Sequence, residues 1–269
     1  MNYFSDINFS KFTILESIFL CFKKIKNNFS TKEVFSNLDN KLKEAENYLS
    51  NEENSVNKLN KLLELFYLNW NFRAIEGKYD VSDVLWIDKV LKTYQGTAIS
   101  LGVILLHFAD KLKIPLSPVV FPTQFILRAD FVHKKTILIN PFNGDILNHH
   151  ILELWLKGNI SSSAKLYKKY LEISKSKDIL KKILNTLKSA LMEENKILLA
   201  LKVSNVLLKF YPNDPYEIRD RGLIYSQLEC YSLAIKDFSY FINKCPDDPI
   251  SEIINLKIKS IKKKFHIVH

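Results

Sequence analysis

The stretch Gln95-Gly96-Thr97-Ala98-Ile99-Ser100-Leu101-Gly102, which runs on uncharged to Ala109 and closes with Lys113-Ile114-Pro115, decides how this chain is read. Residues 97–112 are apolar on nearly every side, which predicts a helix buried all round, with Gly102 allowing a neighbour to pack closely. Pro115 and Pro118 stop that helix. Residues 116–121, 124–128 and 136–139 then form short runs of β-branched and aromatic residues, separated by Pro122, Asp130 and Pro141. They predict an antiparallel sheet packed on the helix. Asn143-Gly144 makes a turn, residues 146–156 read as a further helix, and a break runs from Lys157-Gly158-Asn159 through Ser161-Ser162-Ser163.

Upstream, residues 9–28 place Phe12, Leu15, Ile18, Phe19 and Phe22 three and four apart, on one helical face. Ser30 followed by Glu33 is the signature of a capping box, and it opens a second helix over 31–51. A third spans 56–70, and a short helical stretch over 82–91 follows Gly77 and Asp80. The first 95 residues therefore read as an all-helical layer.

Downstream, the chain repeats itself. Ala200 and Ala234 are 34 residues apart, as are Pro212 and Pro246, and Asn213-Asp214-Pro215 recurs as Asp247-Asp248-Pro249. A period of 34 is the length of a tetratricopeptide repeat. In the copy starting at Pro215, Gly222 and Tyr225 fall on the first helix, while Ala234, Phe238, Phe241 and Pro246 mark the second, close to the tetratricopeptide pattern. The preceding copy, starting near Lys181, keeps Ala200, Leu207 and Pro212 but carries Lys188 where glycine is expected. Residues 250–262 read as a final capping helix. Two domains are expected, 1–160 and 164–269, divided at the serine-rich break.

The stretch 95–102, with Lys113-Ile114-Pro115, Pro122-Thr123-Gln124-Phe125-Ile126-Leu127-Arg128 and Leu138-Ile139-Asn140-Pro141-Phe142, resembles the core of transglutaminase-like proteins. More narrowly, with Trp86-Ile87-Asp88-Lys89-Val90-Leu91 and the closing repeats, it resembles the bacterial family that joins such a domain to tetratricopeptide repeats, the YchA or SirB type. The resemblance covers almost the whole chain. It implies a mostly helical α+β fold: an N-terminal helical layer and a papain-like core with a small antiparallel sheet, then C-terminal tetratricopeptide hairpins. Active members of the wider superfamily use a Cys-His-Asp triad, with the cysteine at the start of the core helix, where the dipole helps hold a thiolate. Here the helix start offers Ala98 or Ser100, depending on alignment; the histidine position corresponds to Gln124 and the aspartate position to Asn140. A glutamine cannot serve as a general base near neutral pH, and an asparagine brings no charge to steady an imidazolium.

Each remaining candidate has a plainer reading beside it. Ser100 as a nucleophile needs a base, yet His107 lies about two turns and 10 Å further along the same helix, and His133 sits beside Lys134-Lys135 in an expected loop. A capping or packing role for Ser100 is the alternative. His149-His150 point in different directions from a helix, and neither a zinc-type spacing nor a nucleotide-binding glycine motif is present, so no metal and no cofactor is expected. Trp70, Phe72, Trp86 and Trp155 read as core or interface anchors rather than a ligand pocket, and Arg73 and Arg128 as ion-pair formers rather than ligand contacts. On the repeat, Tyr216, Arg219, Leu223 and Ser226 share the inner face of one helix, with Lys182, Asn185, Ser189 and Met192 equivalent one repeat earlier. That face either binds an extended peptide or packs internally.

Composition narrows the function classes. The chain has 269 residues and a formal net charge of +10, but only four of its 39 basic residues are arginine, and the lysines are spread from Lys11 to Lys264. Nucleic-acid surfaces favour arginine as well, because its fork grips two phosphate oxygens. The charge is therefore a solvated lysine surface, and a nucleic-acid partner is not expected. The longest uncharged apolar run, residues 99–109, falls short of the roughly 20 that cross a bilayer. Asp6 precedes the first lysine at position 11, and Glu16 interrupts the apolar stretch after it, so neither a membrane span nor a secretory signal is expected and the protein reads as cytoplasmic. Cys21, Cys230 and Cys245 are too few and too scattered for a disulfide framework. Three functional readings follow: a non-catalytic scaffold or regulatory partner that binds a protein or peptide through its repeat face, a serine-dependent hydrolase or acyltransferase using Ser100, and an RNA-binding accessory protein.

Overall fold

In the computed structural model, residues 12–267 are described, and they form two compact units divided between Ile183 and Leu184, with Lys24–Lys26 grouped with the second. The expectations drawn from Asp6 and Lys11 lie outside the described residues. In the first unit, α1 (Ile14–Ile25) begins where Thr13 and Glu16 cap each other: the Glu16 N–H donates to Thr13 Oγ1 at 3.2 Å and the Thr13 N–H to Glu16 Oε2 at 2.8 Å. The acid that interrupts the apolar stretch is thus a helix start signal. Ser30 caps α2 (Thr31–Leu49) as expected, accepting from the Glu33 N–H, but the Glu33 carboxylate pairs with Lys92 at 2.8 Å. Asn54 caps α3 (Ser55–Glu64), which runs on as one π turn over Leu65–Asn69. A 3-10 turn (Val81–Val84) and α4 (Ile87–Thr93) complete the layer.

This layer is not purely helical. Two residues, β1 (Arg73–Ala74), pair in parallel with β2 (Gln95–Gly96), a link too short to leave a periodic signal. Phe66 stacks on Phe72 at 4.2 Å between centroids, and Trp70 packs on Phe108 at 5.0 Å. Trp70, Phe72 and Trp86 are buried, so these aromatics are core.

The core helix α5 (Ala98–Lys111) is buried at every position from Ala98 to Ala109. It packs on a four-stranded antiparallel sheet in the order β3 (Leu116–Val120), β4 (Phe125–Ala129), β5 (Ile137–Ile139), β6 (Ile146–Leu147). Where one helix was expected over 146–156, the chain adds the strand β6 and only then α6 (His149–Asn159), capped by Asn148. Pro118 is tolerated because β3 is an edge strand.

In sequence, the second domain is expected from residue 164. Residues 164–175 instead lie on the sheet of the first unit. Ala164, Leu166, Tyr170 and Leu171 cover its apolar cluster of Val119, Phe121, Ile126 and Leu138. Ser174 lies along the open edge of β3: its N–H donates to the Pro118 carbonyl at 2.9 Å, and its Oγ accepts from the Val120 N–H at 2.8 Å. The Arg128 guanidinium donates to the Leu171 carbonyl at 2.8 Å and pairs with Asp130.

The next helix, α7 (Ser176–Glu193), carries the division between the units. In the second unit the end of α7 is followed by α8 (Ile197–Phe210), α9 (Pro215–Gln227), α10 (Tyr231–Lys244) and α11 (Pro249–Ile267), with α8 packed on α9, α9 on α10 and α10 on α11. Asp214 caps α9 through the Tyr216 and Glu217 N–H groups, and Asp248 accepts from the Ile250 N–H in the equivalent place.

Candidate functional site

The start of α5 is built by two hydroxyls. Thr97 is extended and caps the helix: its Oγ1 accepts from the Ser100 N–H at 3.3 Å, while Ser100 Oγ accepts from the Thr97 N–H at 2.8 Å. The Ser100 hydroxyl, fully buried, donates to the Val84 carbonyl at 2.7 Å. Gly96 makes room for it, since a Cβ there would lie 2.7 Å from Ser100 Oγ. A hydroxyl with its proton on a backbone carbonyl and a lone pair on a backbone N–H is held as a helix cap.

Ala98 faces elsewhere. It shares a helical face with Gly102, four residues on, and lies about 200° around the helix from Ser100. A Cβ at Gly102 would stand 2.5 Å from the Phe125 ring and 3.5 Å from Pro141. This face of α5 therefore meets the residues that directly follow Gln124 and Asn140. Gln124 stands just before β4 and Asn140 just after β5, at the same end of that antiparallel pair. Of the two candidates at the helix start, Ala98 is the one directed toward the ends that carry Gln124 and Asn140, and it offers only a methyl group.

Asn140 is occupied locally. Its Oδ1 accepts from the Phe142 N–H at 3.1 Å, its N–H donates to the Asp145 carbonyl, and its own carbonyl accepts from the Gly144 N–H at 2.8 Å. Gly144 has φ of +79°, which suits glycine. From α3's π extension, the Tyr67 hydroxyl donates to the Pro141 carbonyl at 2.8 Å and clamps this loop; burial holds that phenol far above its ordinary pKa. The Gln124 Nε2 and Thr123 Oγ1 are shielded from solvent and have no hydrogen-bond partner among the described residues. Gln124 and Asn140 thus bring two amide side chains to this end of the sheet.

The other candidates disperse. Cys21 is buried in α1, and burial pushes its thiol up to about 12. His133 lies in an exposed turn, and His149 and His150 are exposed at the start of α6. His107 is 7% exposed, and burial is the first cause holding its pKa below the ordinary 6.5. Among the described residues, no group of three or more His, Cys, Asp or Glu side chains is placed to hold a metal ion, and no helix is long and apolar enough to cross a membrane.

On the repeat, Tyr216 is 47% exposed and its hydroxyl donates to Asp248 at 2.8 Å. The Arg219 guanidinium lies 5.3 Å from the Tyr216 ring centre and 5.4 Å from that of Phe241, and pairs with Asp220. Leu223 is half-buried against the Ala234, Phe238 and Phe241 cluster, and Ser226 is half-buried. The face thus presents an ordered aromatic–guanidinium pair, with its lower half turned into packing. Sequence reasoning missed what stands behind it. Lys188 is 3% exposed and its ammonium donates to Glu217 at 2.6 Å and Asp220 at 2.9 Å, while the Ser204 hydroxyl donates to Glu217 at 2.6 Å. Positions 188 and 204 are one period before Gly222 and Phe238, which cross so tightly that a Cβ on Gly222 would lie 2.7 Å from the Phe238 ring. Large and small have traded sides. Lysine replaces glycine, serine replaces phenylalanine, and the buried ammonium is met by two acids of the next hairpin.

A helix packed on an antiparallel sheet, followed by paired helices of period 34, defines a transglutaminase-like core joined to tetratricopeptide repeats. The family model of the transglutaminase-like superfamily matches residues 32–185, and that of the tetratricopeptide repeat matches residues 187–258. The chain is 57% identical to a UPF0162 protein from Buchnera aphidicola subsp. Schizaphis graminum, 46% to the UPF0162 protein YchA of Escherichia coli strain K12 and 47% to protein SirB1 of Salmonella typhimurium, each over 269 residues and the full length of both chains. It belongs to this UPF0162 family. No solved structure matches the chain.

Proposed function

We propose that this protein is a non-catalytic member of its superfamily that works as a scaffold or regulatory partner and engages a protein or peptide through the α9 face of its repeat. The observation that carries this reading is the start of α5: Ala98 on the face toward Gln124 and Asn140, and Ser100 held in a cap with its hydroxyl on the Val84 carbonyl. Tetratricopeptide repeats generally serve protein interactions. Tyr216 with Arg219 supplies the residue types that anchor such interfaces. The setting we infer is cytoplasmic, in keeping with three free cysteines.

Two measurements test it. An activated phosphonate should leave the protein unlabelled; specific labelling that Ser100→Ala removes would establish the hydrolase or acyltransferase reading instead. Crosslinking in cell extract should recover a partner that the Tyr216→Ala/Arg219→Ala variant loses. Unchanged recovery by that variant would take the binding site away from this face.

A further inference from the structure

The repeat period extends into α11. Asp247-Asp248-Pro249 repeats Asn213-Asp214-Pro215, so the position at which α9 meets its own second helix, Gly222 against Phe238, with Lys188 one period earlier, continues to Leu256. Lys188 is 3% exposed and Gly222 is buried, whereas Leu256 is 65% exposed, with Ile253 beside it at 63%. α11 thus stands in the register of a first repeat helix, and on this side its apolar residues are exposed.

The charges along this face run in a definite order. Glu252, Leu256, Lys259 and Lys263 are spaced by four, three and four residues and form one exposed stripe, opposite the buried Ser251, Ile254 and Ile261. The acid is at the N-terminal end and the bases at the C-terminal end. Laid parallel, two such stripes would set lysine on lysine. Laid antiparallel with the two Leu256 side chains in contact, Glu252 of each falls about 6 Å from the centre, bracketed by positions 259 and 263 of the other at about 4.5 and 10.5 Å. The stripe is complementary to itself.

We infer that α11 pairs antiparallel with α11 of a second copy of this chain, Leu256 and Ile253 packing across the two-fold axis, in a concentration-dependent dimer. This contact is independent of the partner proposed for the α9 face. The test is sedimentation velocity of the full chain from about 5 to 500 μM. A monomer–dimer equilibrium is expected, with Leu256→Glu weakening it by about tenfold or more. Glu252→Lys should weaken it as well, and so should Lys259→Glu/Lys263→Glu, while the combined triple variant restores pairing to within about threefold of the unsubstituted chain. All these side chains are exposed, and circular dichroism confirms that each variant is folded. A chain that stays monomeric throughout the range, a dimer indifferent to Leu256→Glu, or a triple variant without recovery would each overturn the inference.

Discussion

Lys188 is the residue where the second unit departs most from a regular repeat. Its ammonium lies between Glu217 and Asp220 with almost no access to water. Truncating one partner of such a pair strands the other, so Lys188→Ala should cost about 3–5 kcal/mol, read by urea unfolding of the full chain. Adding Glu217→Gln should recover much of the loss by removing the stranded charge. His107 makes a second prediction at this scale. Its folded pKa lies below the ordinary 6.5, so as pH falls through that value the unfolded chain takes up a proton that the folded chain refuses. Stability should therefore be fully present above 6.5 and decline below it, by at most about 1.4 kcal/mol per pH unit from this one group. His107→Gln should flatten the urea-midpoint profile over that range; an unchanged slope would assign it to other groups.

Among the elements, the 140–145 loop depends on a helix far from it in sequence. Tyr67→Phe removes the hydrogen bond to the Pro141 carbonyl and should cost about 1 kcal/mol. Hydrogen exchange at the Gly144 amide should quicken in that variant, and an unchanged rate would show that the loop holds itself. How legible these elements are in the sequence depends on how local their causes are. The core helix, three strands of its sheet and the hairpins announce themselves through apolar runs, prolines and a fixed period. β6 does not, because two residues cannot display alternation and Ile146-Leu147 flows into the apolar face of α6. The triad positions Gln124 and Asn140 are readable as substitutions. Whether Ser100 or Ala98 faces them is not, since that turns on the Val84 carbonyl 16 residues upstream. Lys188 is visible as a departure from glycine, but Ser204, Glu217 and Asp220, which make it tolerable, are set by contacts between helices.

Across the whole chain, a charge of +10 combines with a particular distribution of arginine. Arg128, Arg219 and Arg221 are each tied to an internal carboxylate, Arg221 by two bonds to Asp237 at 2.7 and 2.9 Å. Three of the four side chains best suited to gripping phosphates are thus already engaged, and the lysines are dispersed. A mixed-sequence RNA should therefore be retained only at low ionic strength and released by about 0.15 M salt; retention above that concentration would revive an RNA-binding role. The strap over β3 carries a different lesson, about how the molecule comes into being. Synthesis from the N-terminus completes all four strands before Ser174 exists, so a nascent chain passes through a stage in which the β3 edge offers its N–H and carbonyl groups to any strand nearby. A fragment cut at the serine-rich break would be held at that stage permanently, its sheet intact in sequence and its edge open to aggregation.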